Sequence, residues 1–152
     1  MRIAIDTNVL VYAEDVSPAS RMRRAALSLL ERLPEASVVL PVQVLAELYY
    51  LLVRKARLAP AKARHIVLNW SDSYETIDTS TAVMLAATDV AASHKLSIWD
   101  SLVLSSAAEA GCRLLLSEDM QEGFTLRGVT VINPFAVAIH PLLQAVLTNE
   151  SR

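Results

Sequence analysis

Four acids, Asp6, Glu47, Asp100 and Asp119, stand where carboxylates can act together. Asp6 directly follows the apolar run Ile3-Ala4-Ile5, and Asp119 comes shortly after Leu114-Leu115-Leu116. Asp100 stands at a helix start. Glu47 interrupts the apolar stretch from Val44 to Leu52, where an ionised carboxylate is rarely left without a partner. Each acid also has a purely structural explanation: Asp6 as a helix cap, Asp100 as a response to a helix dipole, Asp119 as a turn residue, and Glu47 as part of a polar stripe with Gln43 and Arg54. Those explanations are independent of one another, and none says why acids recur at one edge of a sheet. Carboxylates that converge repel, raise each other's pKa and call for a hard divalent cation. No His or Cys is placed near these acids, so all-oxygen ligation favours Mg²⁺ or Mn²⁺ over Zn²⁺. Such a centre orients a phosphodiester, offsets charge in the transition state and activates a water for attack on phosphorus.

The positioning of these acids follows from alternating strands and helices. Ile3-Ala4-Ile5 reads as a short buried strand that hands over to a helix at Asp6-Thr7-Asn8, a polar trio with capping chemistry. Ser17-Pro18 reads as a start signal. Arg21 to Leu33 then has a helical pattern, with Ala25, Ala26, Leu29, Leu30 and Leu33 on one side, and Pro34 stops it. Ser37-Val38-Val39-Leu40 is β-branched and bounded by Pro41, which predicts a second strand, followed by a long apolar helix from Val42 to Arg57. A third helix is expected from Pro60 to about Trp70, and a short strand around Thr76-Ile77. Thr79 is expected to cap a fourth helix through Ser93, and Asp100 to open a fifth that Gly111 ends. Arg113 to Leu116 and Val129 to Ile132 complete the strands. The tail from Leu142 to Arg152 is expected to begin helical and end frayed. This alternation predicts an α/β fold, with a mainly parallel central sheet and helices on both faces. In such a sheet ligands bind outside the carboxyl ends of the strands, where Asp6 and Asp119 fall and where a helix start such as Asp100 points.

Composition bounds the reading further. A chain of 152 residues is the usual size for one domain, here read as residues 1–152, and 53% hydrophobic with only 5% aromatic predicts a core of aliphatic side chains rather than disorder. The net charge of -2 gives no electrostatic footprint for nucleic acid, unless acids concentrated in one pocket are neutralised by a metal. A single cysteine, Cys112, rules out an intrachain disulfide and fits a reducing cytoplasm. The start of the chain turns acidic too soon for a signal peptide, and charged residues or His interrupt every apolar segment, so a soluble cytoplasmic protein is expected.

Four segments resemble the ordered motifs of PIN domains. Ile5-Asp6-Thr7-Asn8-Val9-Leu10 resembles their N-terminal signature, and Val44-Leu45-Ala46-Glu47-Leu48 supplies the intervening Glu. The segment from Trp99 to Ala107 resembles the second acidic block, and Leu114 to Met120 the third. The resemblance spans residues 5 to 120 and implies a PIN-like three-layer α/β/α sandwich with metal-dependent endoribonuclease activity. For a chain of this size it further implies a VapC-type toxin of a type II toxin–antitoxin system, with a cognate antitoxin. Asp6, Glu47, Asp100 and Asp119 would hold the metal and its waters, with Thr7, Asn8 and Ser117 as hydrogen-bonding support. Glu118 is an alternative to Asp119.

Two other readings compete. A phosphatase using Asp6 as nucleophile would want a second Asp two residues later, and that position is Asn8. A non-catalytic PIN-like protein-binding module would be signalled by missing acids, and all four are present. His65 and His94 are expected to face solvent without a catalytic role. Trp70, Trp99, Tyr49 and Tyr50 are expected in core or interface rather than as base-stacking platforms. Arg21, Arg23, Arg24, Arg54, Lys55 and Arg57 either contact RNA phosphates or form solvated helix faces. The apolar helices from Val42 to Val53 and Thr81 to Ala92 suggest a homodimer, and the Arg21–Leu33 and Val42–Arg57 helices a surface for the antitoxin.

Overall fold

The structure, a computed structural model, describes residues 1–15 and 20–148. The Ser17-Pro18 start signal and the last four residues of the tail lie outside them. The chain forms β1 (Arg2–Ile5), α1 (Thr7–Ala13), α2 (Arg21–Arg32), β2 (Val38–Pro41), α3 (Val42–Arg54), α4 (Pro60–Ser73) and β3 (Glu75–Ile77). It continues through α5 (Thr81–His94), α6 (Ile98–Glu109), β4 (Cys112–Leu116), β5 (Thr125–Leu126), β6 (Val129–Ile132) and α7 (Pro141–Thr148).

The strands build one six-stranded sheet in the order β3-β2-β1-β4-β6-β5, parallel except for the β5–β6 pair. With its flanking helices this is the three-layer, mainly parallel α/β arrangement expected from the alternation. Ile3 pairs with Val38 on one side and Leu114 on the other, and Ile5 with Leu116, so β1 and β4 end side by side. The inner strands are apolar throughout because both faces of the sheet are covered: Ile3, Ala4, Ile5, Val39, Leu40, Leu115 and Leu116 are fully buried. From β1 the chain winds outward to β2 and β3, then returns to place β4 on the other side of β1. The switch point of the sheet therefore lies between β1 and β4, at the carboxyl ends that carry Asp6 and Ser117.

Several local expectations are corrected. Ser80, not Thr79, caps α5, its hydroxyl accepting from the Val83 N–H at 3.1 Å, while the Thr79 hydroxyl lies 3.4 Å from that of Ser106. Helix α6 opens at Ile98, two residues before Asp100: Ser97 caps it, accepting from the Asp100 N–H at 3.0 Å, and Asp100 is the third residue, in the first turn. Helix α3 ends at Arg54, and Arg57 beyond it has a left-handed φ of 55° that no helix can continue through. Its burial is one-sided. Val44, Leu45, Leu48 and Leu52 face the core, whereas Ala46, Glu47, Tyr49 and Tyr50 are exposed. Strand β5, unforeseen, joins β6 through Arg127-Gly128, whose positive φ values of 44° and 88° suit a tight hairpin turn.

Candidate active site

Asp6 is the residue at which β1 becomes α1. Its backbone N–H donates to the Leu116 carbonyl at 2.9 Å, extending the β1–β4 pairing by one residue, and its extended backbone makes it the cap of α1. The side chain is held at both oxygens: Oδ1 accepts from the Thr7 N–H at 2.8 Å and Oδ2 from the Ser117 hydroxyl at 2.7 Å. The capping role and a place in an acidic site are thus filled by one residue. Ser117 is fixed in turn, because its N–H donates to Ile132 on β6 and its hydroxyl accepts from the Met120 N–H.

The first turn of α1 reaches out to two more acids. The Thr7 hydroxyl donates to Glu47 Oε2 at 2.7 Å, and the Asn8 amide donates to Asp119 Oδ2 at 2.6 Å. Glu47 reaches this site from the exposed side of α3. Asp100, in the first turn of α6, completes the group electrostatically. Asp6 is 7% exposed, and burial pushes its carboxyl up to about 6, with the negative charges of Glu47 and Asp100 adding to the rise against the hydrogen bonds from Ser117 and Thr7. Burial also raises Asp100, assisted by the charges of Asp119 and Glu47 and opposed by a hydrogen bond with Ser97. Asp6 thus feels the charges of Glu47 and Asp100, and Asp100 those of Asp119 and Glu47. The four acids do not close on a single point: among the described residues no three acidic, His or Cys side chains are gathered tightly enough to grip one ion.

Glu118 turns away from this group. Its Oε1 accepts from the Tyr12 hydroxyl at 3.1 Å, and Tyr12 packs edge-on against Phe135. The other Glu118 oxygen, Oε2, is buried without a hydrogen-bond partner among the described residues. Burial and the bond to Glu118 raise the Tyr12 hydroxyl pKa.

Sequence reasoning missed two contributors, Ser97 and Tyr12, and placed Trp99 and Tyr50 in core or interface. Ser97 was marked by its position three residues before Asp100, the spacing of a capping box. Tyr12 carried no signal, since its partner is 106 residues away. Trp99 and Tyr50 are not core residues: they are 61% and 58% exposed, and with Gln43, Ala46 and Glu47 they line a groove beside the acids. Trp70 does pack against the core, its indole N–H donating to Glu14 at 2.8 Å. His94 stacks edge-on against Phe124, away from the acids' hydrogen bonds. No helix among the described residues is long and apolar enough to cross a membrane.

A family model described as the PIN domain matches residues 3–122. No curated protein matches the sequence. Among solved structures, the chain is similar to a toxin–antitoxin complex from Klebsiella pneumoniae, at TM-score 0.65 and 17% identity, covering 89% of this chain and 99% of that one. It is similar to VapC20 of Mycobacterium tuberculosis, described as a sarcin–ricin-loop-cleaving toxin, at TM-score 0.64 and 18% identity, covering 77% and 91%. The FitAcB structure from Neisseria gonorrhoeae matches at TM-score 0.59 and 18% identity, over 89% and 99%. At these identities the likeness is one of fold.

Proposed function

The chain belongs to the PIN-domain family, and from that premise we propose that it is a metal-dependent endoribonuclease, the toxin of a type II toxin–antitoxin pair. The observation that carries the reading is the crowding of negative charge at the sheet's switch point, where Asp6 is buried with Glu47 and Asp100 acting on it. Helix capping accounts for Asp6 but not for the charges of Glu47 and Asp100 acting on it, and a bound cation relieves that repulsion. The toxin assignment draws support from the names of similar structures, two of which are toxin–antitoxin or toxin structures. Residues 1–152 are read as one domain, cytoplasmic, with RNA as substrate.

The residues present fit a hard divalent cation. The donors are all carboxylate oxygens, the set that Mg²⁺ and Mn²⁺ favour. Mg²⁺ sheds its waters reluctantly and is commonly held by one or two carboxylates together with its waters and substrate phosphates. Asp6, Glu47, Asp100 and Asp119 would hold the ion directly or through its waters. When bound, it supplies Lewis-acid polarisation of the phosphodiester and neutralises charge developing at phosphorus.

The chain's own residues do the positioning. Ser117 and the Thr7 N–H fix both Asp6 oxygens, which leaves Asp6 little freedom to rotate and places its charge at the mouth of the β1–β4 crevice. Thr7 and Asn8 each hold one oxygen of Glu47 and Asp119, both exposed, so their second oxygens are open to water. An exposed carboxylate held in this way can orient the attacking water and take its proton as the bond to phosphorus forms.

The same hydrogen bonds weigh against the phosphatase. Both Asp6 oxygens are engaged, and Asn8 serves as a donor to Asp119 where that chemistry wants an acid. The binding-module reading has no missing acid to support it. The test is incubation of purified protein with single-stranded RNA in Mg²⁺ or Mn²⁺. Internal cleavage that stops on chelation and returns with added metal supports the proposal; cleavage that survives chelation, or none with either ion, overturns it.

A further inference from the structure

We infer that the groove beside Glu47 is a subsite for an unpaired nucleobase of the RNA, with Trp99 as its stacking face. This rests on the nuclease reading above and adds to it the part of the substrate that is recognised. The groove has a volume of about 520 Å³ and is lined by Gln43, Ala46, Glu47, Tyr50 and Trp99. That falls within the roughly 300–1,000 Å³ of small-ligand pockets.

Its position is set by residues already placed in the site. Glu47 is both a wall of the groove and one of the clustered acids, and Trp99 immediately precedes Asp100 at the start of α6. A strand whose phosphate reaches the acids therefore lays a neighbouring base beside this groove. The indole of Trp99 is 61% exposed in a chain whose other tryptophan is packed and hydrogen-bonded. Exposed aromatic faces next to a phosphate-directed site are what single-stranded nucleic acid stacks upon, and base pairing would remove those faces from reach.

The remaining walls suit a nucleotide. Gln43 brings an amide with both donor and acceptor capacity, able to meet a base edge. The Arg54 guanidinium stands 5.9 Å from the centre of the Tyr50 ring, which takes up one face of that ring and brings positive charge for an adjoining phosphate. Trp99 is then the open platform and Tyr50 the side wall. A second copy of the chain is a poorer occupant, because it would cover Glu47, and interface cores are depleted in charged groups.

The test compares wild type with Trp99→Ala and Trp99→Phe on a single-stranded oligoribonucleotide, and on the same strand carrying one abasic nucleotide beside the cleavage point, in Mg²⁺. The expected result is a loss of kcat/KM of about fivefold or more for Trp99→Ala, the lower end of what one base–aromatic stack contributes. Trp99→Phe should recover most of it. Wild type should lose a similar factor on the abasic strand, and Trp99→Ala should lose no more there, because substitution and abasic site remove the same contact. Melting with and without Mn²⁺ should be unaltered in both variants. Near-native cleavage by Trp99→Ala, losses that multiply, or a loss explained by dissociation of a dimer in sedimentation each overturn the subsite while leaving the nuclease reading standing. Failure of wild type to cleave any RNA overturns both.

Discussion

The Asn8 amide donates to Asp119 across 2.6 Å, whereas the adjacent Glu118 is drawn to the Tyr12 hydroxyl at 3.1 Å. Two neighbouring acids after one strand are thereby sorted, one toward Asp6 and its companions and one away. Binding of Mg²⁺ or Mn²⁺ to the folded state should raise the melting temperature as the logarithm of metal concentration above Kd. Asp119→Asn is expected to weaken that rise and Glu118→Gln to leave it nearly unchanged, as read by thermal melts across a metal titration. The reverse pattern would assign the ligand role to Glu118.

Thr7 acts through Glu47. Thr7→Val removes the 2.7 Å hydrogen bond while keeping the shape of a buried side chain. Glu47 is exposed and can be solvated instead, so stability is expected to change by no more than about 1 kcal/mol. Cleavage should fall roughly 10- to 100-fold, the usual effect of losing a group that orients a metal-binding side chain, and Thr7→Ser should restore it. Unchanged kinetics in Thr7→Val would remove Glu47 orientation from the mechanism.

Without metal, Asp6 should cost the fold stability near neutrality. Its folded pKa of about 6 lies above its ordinary value of 3.8, so the folded state holds its proton more tightly than the unfolded state does. The penalty is full above about pH 6 and disappears as pH falls toward 3.8. It amounts to about 3 kcal/mol at most, at 1.36 kcal/mol per pKa unit. Asp6→Asn keeps an acceptor for the Thr7 N–H, and the Ser117 hydroxyl can turn to accept. In chelator the variant should therefore be more stable than wild type at pH 7.5, with the difference closing by pH 4. A difference independent of pH, measured by denaturant unfolding, would show that charge is not its cause.

A homodimer is the expected assembly. Helix α5 buries only Val83, Ala87 and Val90, leaving Leu85 56% exposed and Met84 39% exposed, and α3 leaves Tyr49 partly open. Light scattering should give twice the chain mass at micromolar concentration, and Leu85→Glu should give the monomer. A monomeric wild type would contradict this.

Much of this was legible in the sequence, for reasons that particular residues make clear. Short apolar runs such as Ile3 to Ile5 and Leu114 to Leu116 mark strands buried on both faces, and acids directly after them mark the ligand edge of a parallel sheet. The order of the strands was not legible, because Ile3 pairing with both Val38 and Leu114 is decided by how helices pack, not by local pattern. The hairpin at Arg127-Gly128 lacks the Asn or Asp that usually announces such a turn. Glu47 was singled out as an acid among apolar neighbours that needed a partner, but the partner was not legible: it is the hydroxyl of Thr7, 40 residues earlier. The exposure of Trp99 was likewise invisible, since a tryptophan beside a helix start is usually packed.

The most direct measurement is the rate of RNA cleavage by Asp100→Asn beside wild type at saturating Mg²⁺, with folding checked by melting. Asp100 makes no hydrogen bond to the other clustered acids and meets them only through charge, so its loss should leave the fold intact or more stable without metal. The expected result is cleavage abolished in the variant, together with a weakened metal-dependent melting shift. Near-native cleavage by a folded Asp100→Asn would contradict the assignment of these carboxylates to a catalytic metal site.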